Sequence, residues 1–421
     1  LTFRFVHAAD LHLDTPFEGI GRLSPDVQRA LQEASLDAFD NLIDLCITEK
    51  VAFLLLAGDI YDGADRGVRA QLRVLQGLKR LADHGIRTFM IHGNHDPLDC
   101  WSAIRSWPPE VTIFSSDTVQ SIPVEIDGRS VATIHGISYP QRAVTENLAL
   151  RFKRSESLGL HIGLLHCTVG SDSGHDAYSP CTINDLLDAR MDYWALGHIH
   201  KRQYLKTGDP WVVYPGNLQG RSPKPSELDA KGACLVTVDD QSVVTDVRFV
   251  PLDQIRFLTF EFDVTGIQDI GELRAALADQ AERSRAEHDS RGLLLRARLT
   301  GRGVVSADLA RDGAIDGLLQ GLRGEMEGLE PFRFWCKLVN DSRPEIDRDA
   351  LLAAQRFSSE VLRVIDELPG ASEMRARFDG GLRIPPFVQA SKISLELVEF
   401  GDLVKEAERL VLDLLERGER S

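Results

Sequence analysis

The chain has 421 residues, 43% of them hydrophobic and 27% charged, the balance of a globular protein too long for one ordinary core. Its net charge of −16 argues against nonspecific nucleic-acid binding through a basic surface, and the acidity is even: residues 1–250 and residues 251–421 each hold 24 Lys+Arg and 32 Asp+Glu. No apolar run is long enough to span a bilayer, no leader-like start is visible, and the 6 cysteines show no paired spacing. A cytoplasmic protein with buried, reduced thiols and no membrane contact is therefore expected.

Phe3–Ala9 reads as an opening strand, followed at once by Asp10-Leu11-His12-Leu13-Asp14. Apolar residues at helical spacing (Val27, Leu31, Ala34, Leu42, Ile43, Cys46) predict a helix from about Pro25 to Glu49. Residues 52–57 are continuously apolar, as in a parallel strand covered on both faces. Gly58 then turns the backbone and leaves Asp59 at the strand's carboxyl end, where open α/β sheets place their ligands. A helix over Arg66–Asp83 and a strand over Arg87–Ile91 follow, the strand ending in His92-Gly93-Asn94-His95-Asp96. This β-α-β-α-β order, with a polar cluster after each strand, is the strongest architectural signal in the chain.

Short strands are expected between Val111 and Ile137, then a strand over Leu160–Leu165 that ends in His166. A short helix near Ile183–Ala189 precedes a strand, Tyr193–Leu196, that ends in Gly197-His198-Ile199-His200. With strands at about 202–206, 211–214, 232–238 and 243–249, residues 1–253 read as an α/β fold of the α+β sandwich kind, two sheets flanked by helices. Residues 254–344 repeat a β-α-β-α-β order and read as a small α+β domain. Residues 345–421 read as helical, with apolar stripes over Leu351–Leu368 and Leu403–Leu415.

Five clusters stand together: Asp10-x-His12, Gly58-Asp59, Gly93-Asn94-His95-Asp96, His166 and Gly197-His198-x-His200, each just past an expected strand. Carboxylate, imidazole and amide oxygen are the donors of divalent Mn, Fe or Zn rather than of Ca or thiolate-bound Zn. If the strands continue, alternation would turn Asp10 with His12, and His198 with His200, to the same side. His7, His84, His92, His135, His161, His175 and His288 fall outside the clusters and read as structural.

In this order the motifs resemble the calcineurin-like metallophosphoesterase superfamily, whose pattern is D-x-H, G-D, G-N-H-[DE], H, G-H-x-H. The resemblance implies a two-metal phosphoesterase. Asp10, His12 and His200 would hold one ion, Asn94, His166 and His198 the other, with Asp59 bridging. Mn is the expected metal, with Fe, Zn or Mg as alternatives. His95 would stabilise the transition state or protonate the leaving oxygen, and Asp96 would orient His95. Asp14 and Asp62 stay open between a turn role and a place beside the substrate.

The opening residues and the segment Tyr214-Pro215-Gly216-Asn217-Leu218-Gln219-Gly220-Arg221 are similar to those of bacterial SbcD-type and YhaO-type DNA repair exonucleases, and Asp14-Thr15-Pro16-Phe17 favours the YhaO type. What this implies is a nuclease subunit that hydrolyses DNA phosphodiester bonds at ends, a coiled-coil ATPase partner of the SbcC kind, and a homodimer. The apolar face at 403–415 would meet the ATPase, or would pack on its own domain or on a symmetry mate. The alternatives are a phosphoesterase for nucleotides or other small molecules, and a weakly active scaffold for the ATPase. Arg66, Arg69, Arg73, Lys201, Arg202, Arg221 and Lys224 are the candidates for phosphate contacts, although such residues are more often solvated surface charges.

Overall fold

The computed structural model describes residues 1–366 apart from residues 21, 22, 24, 64–66, 171–177, 289, 290, 346–351 and 354–356. Contacts gather residues 1–301 and 305–342 into one unit and residues 302–304 and 343–421 into a second. In chain order the first unit opens with strands β1 (Phe3–Ala8), β2 (Phe53–Ala57), β3 (Arg87–Ile91), β4 (Val111–Ile113), β5 (Gln120–Ile126) and β6 (Arg129–Gly136). It continues with β7 (Leu160–His166), β8 (Tyr193–Gly197), β9 (Gln203–Lys206), β10 (Trp211–Tyr214), β11 (Gly232–Val238) and β12 (Val244–Pro251). Helices α1 (Pro25–Thr48) and α2 (Val68–Asp83) follow β1 and β2, and α3 (Ile183–Asp188) precedes β8.

These strands form two mixed sheets, in the orders β12-β11-β1-β2-β3-β4 and β5-β6-β7-β8-β10-β9. The expected two-sheet α/β fold is what the chain adopts. Strand alternation explains the layering. In β2, Phe53, Leu55 and Ala57, beside Phe5 and Phe89 of the neighbouring strands, face the second sheet and its Ile134, Ile162 and Tyr193. Leu54 and Leu56 face the other way and pack with Leu42 and Ile43 of α1 and Val74 and Leu78 of α2. Each such side chain contributes about 1.5–3 kcal/mol on full burial. β11 returns after the whole second sheet to pair antiparallel with β1, Cys234 opposite His7, so the chain closes the first sheet late.

Outside this core, α2 lies along α1 with its arginines on α1 carboxylates: Arg69 on Glu33, Arg73 on Asp40, and Arg80 on Asp44 at 2.7 Å. Two of the candidate phosphate contacts, Arg69 and Arg73, are thus already paired within the fold; Arg66 lies outside the described residues.

A third, all-parallel sheet is made of β13 (Ile255–Asp263), β14 (Gly292–Thr300) and β15 (Arg333–Asn340). Helices α4 (Ile270–Glu287), α5 (Val305–Leu309) and α6 (Ala314–Glu325) bury Leu273, Leu277, Leu318 and Leu322 against Leu293, Leu295 and Trp335. In place of the single helix expected between β14 and β15 the chain forms two, separated at Gly313, whose φ of 76° is left-handed. A separate apolar cluster joins this sheet to the first half of the unit, with Val27, Leu31 and Ala34 of α1 against Phe257, Leu294 and Phe334. Gln219 fixes the start of β13: its Nε2 donates to Ile255 O at 2.6 Å, and its Oε1 accepts from Gln254 N at 2.8 Å.

In the second unit a helix, α7 (Phe357–Asp366), buries Leu362. The helix expected at Leu403–Leu415 lies outside the described residues. Among the described residues no helix is long and apolar enough to cross a membrane.

Candidate metal centre

Parallel register brings the carboxyl ends of β1, β2 and β3 side by side, with Ala8 opposite Leu56 and Ala57 opposite Ile91. The same holds for β7 and β8 in the second sheet, where His166 stands opposite Gly197. All five clusters therefore converge between the tops of the two sheets. Strand alternation is not what aims Asp10 and His12. β1 ends at Ala8, and both residues sit beyond it in left-handed backbone, with φ of 53° and 42°. Asp59 (51°) and His198 (102°) share this uncommon conformation, which side chains other than glycine adopt at a cost of about 1–3 kcal/mol each. Backbone bonds hold the turns: Asp10 N donates to Gly58 O at 3.1 Å and His12 N to Asp59 O at 3.0 Å.

Asp59 lies at the centre. Its Oδ2 is 3.3 Å from His166 Nε2 and 3.8 Å from His12 Nε2, while its Oδ1 accepts the His95 amide at 2.9 Å. On one side, Asp10, His12 and His200 bring one donor atom each within 4.8 Å of one another; on the other, Asp59, His166 and His198 do the same. Asn94 Oδ1 joins the latter, 2.9 Å from His166 Nε2. Gly93 has to be glycine here, because a Cβ at that position would collide with Asp59 Oδ1 and the His166 ring. Gly58 (φ 88°) supplies the turn that presents Asp59.

Neighbouring groups fix which nitrogen of each ring faces inward. His166 Nδ1 is 2.9 Å from Ala57 O, a contact only an N–H can make, so its Nε2 lone pair points to Asn94 and Asp59. His200 Nδ1 is held by Glu227 Oε1 at 2.5 Å, which turns its Nε2 toward His12 Nε2, 3.0 Å away. Two imidazole nitrogens facing each other at that distance need a proton or a cation between them. His12 Nδ1 is buried and without a hydrogen-bond partner. Oxygen and imidazole donors, ring nitrogens aimed at one another and an orphaned buried ring atom together fit divalent first-row cations.

Electrostatics points the same way. Burial opposes the charge of Asp59, but His166, His12 and His95 outweigh it and hold its carboxyl well below the usual range. Asp10 moves the other way, up to about 6, because burial dominates over its imidazole neighbours. Burial also works against a charged His166 ring, yet the Asp59 and Asp10 carboxylates raise it to about 9. A cluster this buried, with carboxylates and imidazoles pulling in opposite directions, is built around positive charge.

The calcineurin-like phosphoesterase family matches residues 3–202, and the YhaO metallophosphoesterase middle domain matches residues 257–342. The uncharacterized metallophosphoesterase YhaO of Bacillus subtilis (strain 168) is 38% identical over 340 residues, which span 80% of this chain and 81% of that protein. The chain belongs to the calcineurin-like metallophosphoesterases. More distant members include the DNA double-strand break repair protein Mre11 of Sulfurisphaera tokodaii, 27% identical across 58% of this chain and 63% of the relative. Another is a subunit of the nuclease SbcCD of Bacillus subtilis (strain 168), 24% identical across 51% of this chain and 61% of the relative. The chain thus spans less than two thirds of the length of either of these two relatives.

Within this metallophosphoesterase, the expected role of Asp96 is corrected. Its carboxylate does not hold His95; it accepts from Gly93 N at 2.9 Å and Ile60 N at 3.0 Å and lies 3.0 Å from His92 Nδ1. Asp96 thereby shapes the turn that carries Asn94 and His95. The partner of His95 is Asp62, with Oδ1 2.5 Å from Nδ1. That contact is the main cause holding the Asp62 carboxyl well below its ordinary value. Burial disfavours the charged His95 ring, but Asp62 and Asp59 outweigh it and raise its pKa.

One further residue carries no signal in the sequence pattern. Glu227, buried, accepts from Asn217 Nδ2 at 2.8 Å and Arg221 N at 3.0 Å besides holding His200. Arg221, a candidate phosphate contact, instead places its guanidinium 3.1 Å from Asp62 Oδ2. Arg202 stacks over the Phe249 ring at 3.9 Å. His7 is structural as expected, lodged between Tyr193 OH at 3.1 Å and Leu196 O at 3.2 Å; His175 lies outside the described residues.

Proposed function

We propose that this metallophosphoesterase is a phosphodiesterase that hydrolyses DNA phosphodiester bonds at ends, with two divalent cations, Mn foremost, as its cofactor. The reading rests above all on the convergence of Asp10, His12, Asn94, His166, His198 and His200 on Asp59, with His95 opening from the same centre. Asp10, His12 and His200 would hold one cation and Asn94, His166 and His198 the other, with Asp59 shared. Such cations supply Lewis acidity at the phosphoryl oxygens. His95, half-buried beside the cluster, can hold a proton on Nε2 toward the leaving oxygen as an imidazolium, because Asp62 accepts the Nδ1 proton and favours the charged ring. DNA is favoured over nucleotide-sized phosphoesters by the names of the distant relatives, a DNA double-strand break repair protein and a nuclease subunit.

In this reading residues 1–253 carry the chemistry, residues 254–344 cap it, and residues 345–421 meet a coiled-coil ATPase of the SbcC kind, in a cytoplasmic homodimer. Protein supplied with Mn should hydrolyse bis-(p-nitrophenyl) phosphate and should degrade linear duplex DNA, with the ATPase added where needed. Turnover of nucleotides or monoesters alone would replace the DNA reading with a small-molecule phosphoesterase.

A further inference from the structure

On the His95 side of the centre a cavity of 300 Å³ is lined by Asp62, Gly63, Asn94, His95, Pro97, Asp99, Cys100 and Arg142. Of the proposed cation donors Asn94 alone lines it, and Asp10, His12, Asp59, His166, His198 and His200 do not, so an anion held by Arg142 would lie at the edge of the donor cluster rather than within it. The charged groups on its wall are unequal. Asp62 is engaged by His95 and Arg221. Asp99 is exposed and makes no ion pair with Arg142 among the described residues. Arg142 is exposed and has neither a hydrogen bond nor an ion pair among the described residues. That contrasts with Arg69, Arg73, Arg154 and Arg221, each of which sits on a carboxylate. In a chain of net charge −16, a guanidinium left facing a cavity beside His95 lacks only an anion.

The segment that carries Arg142 is fastened to the centre itself. Tyr139 OH donates to His166 O at 2.7 Å, and Tyr139 N donates to His92 O at 3.0 Å. Tyr139 O accepts Leu98 N at 3.1 Å, and Ser138 Oγ accepts His92 N at 3.1 Å. Arg142 follows this anchored pair by three residues, on an exposed stretch that begins at Pro140 and brings it to the cavity wall beside Asn94 and His95.

Resting on the phosphodiesterase reading, we propose that Arg142 and this cavity bind a second phosphate of the substrate, the backbone phosphate next to the scissile one. The substrate class it selects is a polynucleotide strand rather than an isolated diester. Phosphate contacts of this kind position a strand without reading its sequence.

The test compares two substrates on the full chain with Mn: bis-(p-nitrophenyl) phosphate, which has one phosphate, and a single-stranded oligothymidylate. In Arg142→Gln the ratio of kcat/KM for the oligonucleotide to that for the single diester should fall about tenfold, the value of one charge-assisted hydrogen bond. Arg142→Lys should regain part of it. The salt dependence of oligonucleotide kcat/KM should become shallower by about 0.7 in log–log slope, as one phosphate contact is lost. Equal melting temperatures of the variants and the parent exclude a folding defect. A parent that cleaves both substrates, with Arg142→Gln leaving the ratio and the slope where they were, overturns this inference alone. A parent that cleaves the single diester but no oligonucleotide overturns the DNA reading and this inference with it.

Discussion

Asp62 Oδ1 lies 2.5 Å from His95 Nδ1, so the carboxylate and not the adjacent Asp96 decides which ring nitrogen of His95 carries the proton. The far nitrogen is thereby left to face the reacting groups. Asp62→Asn removes the charge and lets the ring rotate or change tautomer. Turnover of an oligonucleotide, whose alkoxide leaving group needs a proton, should drop about 10²-fold. The loss on bis-(p-nitrophenyl) phosphate should be smaller, because p-nitrophenolate leaves without help. Metal content measured by elemental analysis should stay at the parental level. Equal losses on both substrates, or loss of metal, would show that Asp62 acts on the cation site and not through His95.

Glu227 does for His200 what Asp62 does for His95. Burial alone would raise its carboxyl, yet His200 and Arg221 overcome that and keep it well below the ordinary range. Partners of ligating histidines set ring orientation and basicity, and their removal commonly costs 10- to 100-fold in metal affinity or activity (about 1.4–2.8 kcal/mol). Glu227→Gln should therefore weaken cation binding by about 10-fold or more in a Mn titration. Glu227→Ala should be worse, because Asn217 Nδ2 and Arg221 N lose their acceptor as well.

The legible parts of this protein were those written in local pattern. The α1 stripe of Val27, Leu31, Ala34, Leu42, Ile43 and Cys46 is buried as its spacing demands. The strand before Asp59 is apolar on both faces because it lies between a sheet and two helices. The polar clusters were readable because each falls at a strand's end, a position that parallel sheets reserve for ligands. The pairing of side chains was not readable. His95 and Asp96 are neighbours in sequence, but the turn sends one toward Asp62 and the other toward His92 and two backbone amides. Glu227 lies 27 positions from His200 with no periodicity to link them; only the fold of the Tyr214–Arg221 segment brings it there. The left-handed backbone at Asp10 and His12 likewise comes from tertiary bonds to Gly58 and Asp59, which a one-dimensional reading does not contain.

Acid should destabilise the fold through buried histidines that are not among the proposed cation donors. Burial lowers His7 from 6.5 to about 3, and His135, buried beside His161, falls to about 4. A folded ring that refuses a proton which the unfolded ring accepts makes unfolding more favourable as pH drops. Stability is thus full above pH 6.5 and declines as pH falls from there toward 3, by about 1.4 kcal/mol per pH unit for His7. Urea unfolding from pH 7 to pH 4, with chelator throughout so that cation release is common to all samples, measures this slope. His7→Gln should flatten it; identical slopes in parent and variant would remove His7 from the account.

Cation removal should loosen the protein as well as silence it. Asp10 and Asp59 are buried within one cluster of imidazoles, and without bound cations their charges fall to ring protons and to the His198 and His95 amides. A ligand that binds the folded chain alone stabilises it by about 2.7 kcal/mol at 100 times its Kd. Chelation should therefore lower the melting temperature, and added Mn should restore it in step with its concentration. Asp59→Ala removes the carboxylate proposed to be shared between the two cations, so its melting temperature should respond little to either treatment. Should the variant still gain as much from Mn as the parent does, the cations are held without Asp59, and the assignment of a shared ligand fails.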